Sequence, residues 1–246
     1  MDMKRAFLFA SALLLAAVAC NNIKTETYQD DVVVPLGEGQ EDSLFFSMSI
    51  EYVVTGMKVE ARQALNSTIV AQAFDMEGGN GTLEETAIRY RENLIDEDLN
   101  ENAVLENGVR SWEDVLEGYF TEDYKGWKNY CITYYTFRGG AHGLQTVTQT
   151  VFNAKTGLTV KEADLFAPGY EEPVTALMQA EVRDAIEKGD PELLELVRME
   201  NVYPNGNFSV GPEGVEWVFQ PYEVGPYVLG NVTVPLSWDL LKPYLK

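Results

Sequence analysis

Residues 130–160, YCITYYTFRGGAHGLQTVTQTVFNAKTGLTV, decide the fold. Tyr130–Phe137 and Leu144–Phe152 are runs of aromatic and β-branched residues, and Leu158-Thr159-Val160 is a shorter third run. Gly139-Gly140 and Lys155-Thr156-Gly157 separate them, so the stretch reads as antiparallel strands joined by tight turns. Tyr134 and Tyr135 are neighbours in a strand and point to opposite faces. If one face is covered, at most one of the two is interior.

Working outward, Val174, Leu177, Met178 and Val182 recur at helical spacing within residues 173–186, with a continuation expected over Glu192–Met199 after the break at Gly189-Asp190-Pro191. Strand texture returns at Phe208-Ser209-Val210, Val215–Phe219 and Val228–Pro235, and Ser237 is placed to cap a short Trp238–Leu241 segment. Upstream, Leu44–Val54 reads as a strand. Glu60–Phe74 reads as a helix, because Ala61, Leu65, Ile69 and Ala73 repeat every four residues. Thr82 followed by Glu85 is a capping box that starts a second helix through Ile88, and Trp112, Val115, Leu116, Tyr119 and Phe120 suggest further helical turns. Strands, then helices, then strands give an α+β fold of two small units, each an antiparallel sheet covered by helices.

The 246 residues are 46% hydrophobic, enough for a real core. Acidic residues outnumber basic ones 39 to 18, for a net charge of -21, so the chain repels a phosphate backbone and nucleic acid is excluded as a partner. A single histidine, His142, rules out any metal site needing two imidazoles, and no cofactor or metal is expected.

The N-terminus reads as an address. Lys4 and Arg5 precede an apolar run from Ala6 to Ala19, too short to span a bilayer, which ends in Ala17-Val18-Ala19-Cys20. This resembles the lipobox of bacterial lipoproteins. Residues 1–19 are then a signal peptide, Cys20 carries the lipid, and the mature protein is anchored to a membrane without crossing it. Removing Asp2, Lys4 and Arg5 with the signal leaves a net charge of -22. Residues 20–42 are polar, with Pro35, Gly37 and Gly39, and read as a flexible tether. Asn21 after the lipidated cysteine favours the outer membrane or periplasmic face of a cell envelope over the cytoplasmic membrane. Cys131, left without a partner, reads as a buried inert thiol.

Charge concentrates between Asp75 and Asp123, which hold fifteen acidic residues against Arg89, Arg91 and Arg110. Asp96, Glu97, Asp98 and Glu101 form the centre of this acidic surface, suited to a cationic partner. Asp96, Asp98 and Asn100 imitate the start of a calcium loop, but Glu101 stands where glycine belongs and Asn107 where a bidentate glutamate belongs, so no metal is assigned.

Gly139-Gly140-Ala141-His142-Gly143, Asn153-Ala154-Lys155-Thr156-Gly157 and Asp164-Leu165-Phe166 are followed by Asn207-Phe208, Gly214-Val215, Tyr222-Glu223-Val224-Gly225-Pro226-Tyr227, Gly230 and Val234-Pro235. This ordered set resembles the C-terminal extracellular domain of RsiV-type anti-sigma factors over residues 130–246. Residues 43–129 resemble in layout the domain that precedes it there and in PdaC-type peptidoglycan deacetylases. The resemblance implies a fold and a binding role. In the anti-sigma branch the extracellular part binds lysozyme, but this chain has no recognisable sigma-binding segment. The deacetylase chemistry needs an aspartate and two histidines, which a chain with His142 alone does not provide.

Gly139, Gly140 and His142 are expected to build a tight turn, with ligand contact as the functional alternative. No Gly-x-Ser-x-Gly elbow occurs, so a serine relay has no support. Tyr130, Tyr134, Tyr135, Trp217, Tyr222 and Tyr227 are either core or a sugar-stacking platform. The expectation is a non-enzymatic, lipid-anchored envelope protein that binds a cationic protein such as lysozyme, with peptidoglycan or another glycan as the alternative ligand.

Overall fold

The computed structural model describes residues 23–35, 43–74, 82–102 and 111–246. Cys20 lies outside them. The described chain is α+β, with one five-stranded sheet in the order β1-β2-β3-β4-β5 and one three-stranded sheet in the order β6-β7-β8. The strands are β1 (Lys24–Pro35), β2 (Ser43–Thr55), β3 (Ser111–Phe120), β4 (Trp127–Phe137), β5 (Leu144–Asn153), β6 (Phe208–Val210), β7 (Gly214–Phe219) and β8 (Val232–Ser237). The helices are α1 (Val59–Ala73), α2 (Leu83–Asn102), α3 (Glu162–Leu165), α4 (Glu171–Lys188) and α5 (Trp238–Leu241).

Two compact units share the chain. One takes the described residues up to Tyr119 together with Thr133–Leu144, and the other takes Phe120–Ile132 with Gln145–Lys246. The division is interleaved, whereas the sequence reading placed a single boundary between residues 129 and 130.

In the first unit, β2 alternates: Leu44, Phe46, Met48 and Ile50 are buried while the residues between them are not. α1 turns Ala61, Leu65, Ile69 and Val70 inward, the four-residue repeat expected of it. Asn66 on α1 accepts from the Val53 amide at 3.0 Å and donates to the Val53 carbonyl at 2.8 Å, fixing helix to strand. The capping box is present: the Glu85 amide donates to Thr82 Oγ1, and the Thr82 amide to the Glu85 carboxylate.

Three expectations are corrected here. Residues 24–35, read as part of a tether, form β1, paired antiparallel with β2 from Lys24 opposite Thr55 to Pro35 opposite Ser43. Their polarity is that of an edge strand with one buried side chain, Val32, rather than that of free linker. The sheet is not wholly antiparallel, since β2 and β3 run parallel, joined through α1 and α2 as parallel neighbours require. Finally, Trp112–Phe120, read as helical, is β3. Its true period of two, with Trp112, Asp114 and Leu116 buried, is hidden in the sequence by a charged residue at an interior position.

The second unit packs α4 on the three-stranded sheet. Val174, Met178 and Val182, four residues apart, meet a core that includes Val210, Trp217, Phe219, Val234 and Leu236. Trp217 sits at its centre, its ring centroid 6.2 Å from that of Phe166 and 6.3 Å from that of Phe208. The expected continuation of α4 over Glu192–Met199 is instead two 3-10 turns, Pro191–Leu196 and Met199–Asn201. Leu158-Thr159-Val160 contributes only a single bridge, Thr159 with Phe152. Ser237 caps α5 as expected, accepting from the Leu240 amide. No described helix is long and apolar enough to cross a membrane.

Candidate functional site

The second unit presents a supported aromatic loop at residues 220–229. The Glu223 amide donates to the Gln220 carbonyl at 3.1 Å, closing a turn with Pro221 second and Tyr222 third. Tyr222 has φ 72, the left-handed region. Proline followed by a residue of positive φ is the type II pattern, in which glycine or asparagine normally takes Tyr222's place. A left-handed backbone on a bulky residue is a local strain that persists only where the surroundings over-determine it.

The surroundings do so here. Glu223 folds back to accept from the Gln220 amide at 2.8 Å, and its carbonyl accepts from Asn201 Nδ2 at 2.7 Å. The Gln220 side chain is held in turn by Val147, accepting from its amide at 2.9 Å and donating to its carbonyl at 2.6 Å. Gly225 passes so close to the Leu196 carbonyl that a Cβ would lie 2.8 Å from it, and the Arg198 amide donates to the Val224 carbonyl at 2.8 Å. The loop and the 191–201 turns are thereby one surface.

On that surface Tyr222 is 54% exposed and Val228, in the 3-10 turn Tyr227–Leu229, is 71% exposed. The Tyr222 and Tyr227 rings lie 5.7 Å apart. Leu196, whose carbonyl lies against Gly225, is exposed on a turn whose Glu192 and Glu195 are also exposed. Between Asp190 and Glu223 the sequence carries seven acidic residues and one base, Arg198. An apolar centre with aromatic anchors and a charged rim is the anatomy of a protein-binding patch.

The other expected site residues fall elsewhere. Gly139 and Gly140 have φ 84 and 95, are exposed, and make the turn that their residue type allows. Gly143 is buried with the Tyr135 ring against the place a Cβ would take. His142 is exposed, with Nδ1 3.1 Å from the Gly143 carbonyl. Asp96 and Glu97 are exposed on α2; the side chains of Asp98 and Glu101 lie outside the described residues. Cys131 is buried, with Gln149 Nε2 donating to its sulfur at 3.6 Å.

Of the six aromatics considered for a platform, Tyr130 and Trp217 are wholly buried and belong to the core. Tyr134 is tied to a buried ion pair in the first unit. Its hydroxyl donates to Asp114 Oδ1 at 2.8 Å, while Arg138 Nη2 donates to Asp114 Oδ2 at 2.6 Å. Burial and the Asp114 charge push the Tyr134 phenol up. Tyr222 and Tyr227 are the pair that reaches the surface together. Leu196 and Val228 were not singled out in the sequence; the proline before Tyr222 was the available signal.

The α+β fold is shared with solved structures. Residues 163–239 match the DUF3298 family, described as a protein of unknown function, and the match includes the whole of the three-stranded sheet. A crystal structure of a DUF3298 family member from Bacteroides fragilis NCTC 9343 is similar over 92% of this chain and 94% of that one, with a TM-score of 0.79 at 20% identity. A DUF3298 family protein from Pseudomonas aeruginosa PAO1 covers 92% and 95%, with a TM-score of 0.67 at 15% identity. No curated protein matches the chain.

Proposed function

We propose that the chain is a lipid-anchored protein of the cell envelope that acts by binding rather than catalysis, and that the loop around Tyr222 receives a cationic protein such as lysozyme. The observation that carries the reading is Tyr222 itself, a strained residue whose ring is half exposed against that of Tyr227. One side of the ring rests against Tyr227 at 5.7 Å, and the half left to solvent is free for a contact outside the fold. The acidic rim at Glu192 and Glu195, in a chain of net charge -21, favours a basic partner and speeds its encounter. The lipobox-like Ala17-Val18-Ala19-Cys20 and the resemblance to RsiV-type extracellular domains support the location and the partner.

The test is a titration of the chain lacking only residues 1–20, which keeps every described residue, against a c-type lysozyme at low and physiological salt. Binding that weakens steeply with salt and is lost in Tyr222→Asn is expected, with muramidase activity followed in parallel. Absence of binding at low salt overturns the lysozyme assignment. Binding untouched by Tyr222→Asn overturns the site.

A further inference from the structure

Apart from the Tyr222 loop, the second unit has a cleft where the 124–127 turn meets α3, α5 and residues 242–246. The cleft has a volume of about 410 Å³, the size of small-molecule sites in general. Its walls are fixed. Tyr124 and Trp127 exchange two backbone hydrogen bonds, at 3.0 and 2.8 Å, around Lys125-Gly126, both with positive φ. Trp238 Nε1 donates to the Gly211 carbonyl at 2.9 Å, and the Lys246 amide donates to the Leu165 carbonyl at 3.0 Å.

Tyr124 and Trp238 stack, with centroids 5.7 Å apart and planes inclined by 15°, and Trp127 lies beside them at 6.5 Å from Tyr124. Lys125 Nζ stands 4.8 Å from the Tyr124 centroid. Lys242 and Lys246 line the same cleft, so three of the chain's ten lysines converge there. Among the described residues none of these three ammonium groups makes an ion pair, although the chain carries 39 carboxylates. Asp164, Asp239, Leu165 and Leu245 complete the lining, and one oxygen of Asp164 already accepts from the Lys161 amide.

We infer that this cleft binds an acidic saccharide, a pyranose ring bearing a carboxylate. Aromatic side chains offer an apolar surface to the C–H face of a sugar ring, and the free carboxylate oxygens of Asp164 and Asp239 accept from its hydroxyls. The lysines supply charge-assisted hydrogen bonds to the ligand's carboxylate. A neutral sugar leaves them idle, and a carboxylate without a ring leaves the aromatic floor uncovered.

The experiment uses the chain lacking residues 1–20 and follows tryptophan fluorescence, since Trp127 and Trp238 are two of its four tryptophans. The probes are trisaccharides of uronic acids and of muramic-type acids, each beside its methyl ester, with malonate as a ringless carboxylate. At least one acid should bind about tenfold or more tighter than its ester, a difference on the scale of one charge-assisted contact. Lys242→Gln with Lys246→Gln should erase that difference while leaving the fold intact, and Tyr124→Ala should weaken acid and ester alike. Equal binding of acid and ester, competition by malonate at the same concentration, or no response to any probe overturns the inference.

Discussion

Trp217 Nε1 donates to Glu162 Oε1 at 2.7 Å, so the indole at the centre of the second unit's core is satisfied by a carboxylate at the start of a four-residue helix. The same carboxylate accepts from the Gly206 amide at 3.0 Å and the Tyr170 hydroxyl at 3.1 Å. Glu162 is thus the polar fastening of this core. Glu162→Ala should cost about 2 kcal/mol, because it takes the charged acceptor from the indole N–H of the buried Trp217. Glu162→Gln, which keeps one acceptor oxygen, should cost less. Urea denaturation of the two variants checks the order, and equal losses would contradict it.

Tyrosine ionisation gives the alkaline limit. Burial, with the Glu162 charge beside it, pushes the Tyr170 phenol up to about 12, and burial with Asp30 pushes Tyr28 up to about 12. Both are raised above the ordinary 10.0, so the fold holds these protons more tightly than the unfolded chain. Their contribution to stability is complete below pH 10 and is lost as pH rises from 10 towards 12. Denaturation midpoints should therefore fall across that window, and fall less in Tyr170→Phe, whose phenol no longer titrates. A midpoint unchanged up to pH 12 would refute the assignment.

The buried Asp114 carries a third expectation and explains the main misreading of the sequence. It is fully buried in β3, paired with Arg138 and hydrogen-bonded by Tyr134. Arg138→Met removes the compensating charge and should destabilise by about 3 kcal/mol, the lower end for a broken buried pair because the guanidinium is itself partly exposed. Asp114→Asn introduced into Arg138→Met should recover part of the loss, as a neutral side chain is cheaper to bury. Thermal unfolding of the single and double variants decides it.

Where hydrophobic period and burial agree, the elements were legible: the four-residue repeat of α1, the Thr82–Glu85 box, the buried stripe of α4 and the Ser237 cap were all readable. Where a polar residue has an interior partner distant in sequence, the pattern misleads. Asp114 broke the alternation of β3, and its partners Tyr134 and Arg138, twenty and twenty-four residues on, account for it. β1 was missed for the opposite reason, since an edge strand buries little and its composition resembles a linker. The site was partly legible. Tyr222 and Tyr227 stood among the candidate aromatics, but their exposure depends on how Asn201, Gln220 and Val147 fasten the loop, which no local pattern states.

The left-handed backbone of Tyr222 separates stability from binding. A bulky residue at φ 72 carries a strain of about 1–2 kcal/mol that glycine would not, while glycine loses about 0.5–1 kcal/mol more through the freedom of the unfolded chain. Tyr222→Gly also gives up the ring contact with Tyr227 at 5.7 Å. These effects nearly offset, so the variant should denature within about 1 kcal/mol of the parent. Binding should respond differently. An exposed aromatic anchor at the centre of an interface is worth about 2 kcal/mol, so affinity for the cationic partner should fall about thirtyfold. Tyr222→Phe keeps the ring and should bind almost as the parent does. If Tyr222→Gly instead unfolds readily, the tyrosine is a structural residue of the turn; if it folds and binds undiminished, the exposed ring has no part in recognition.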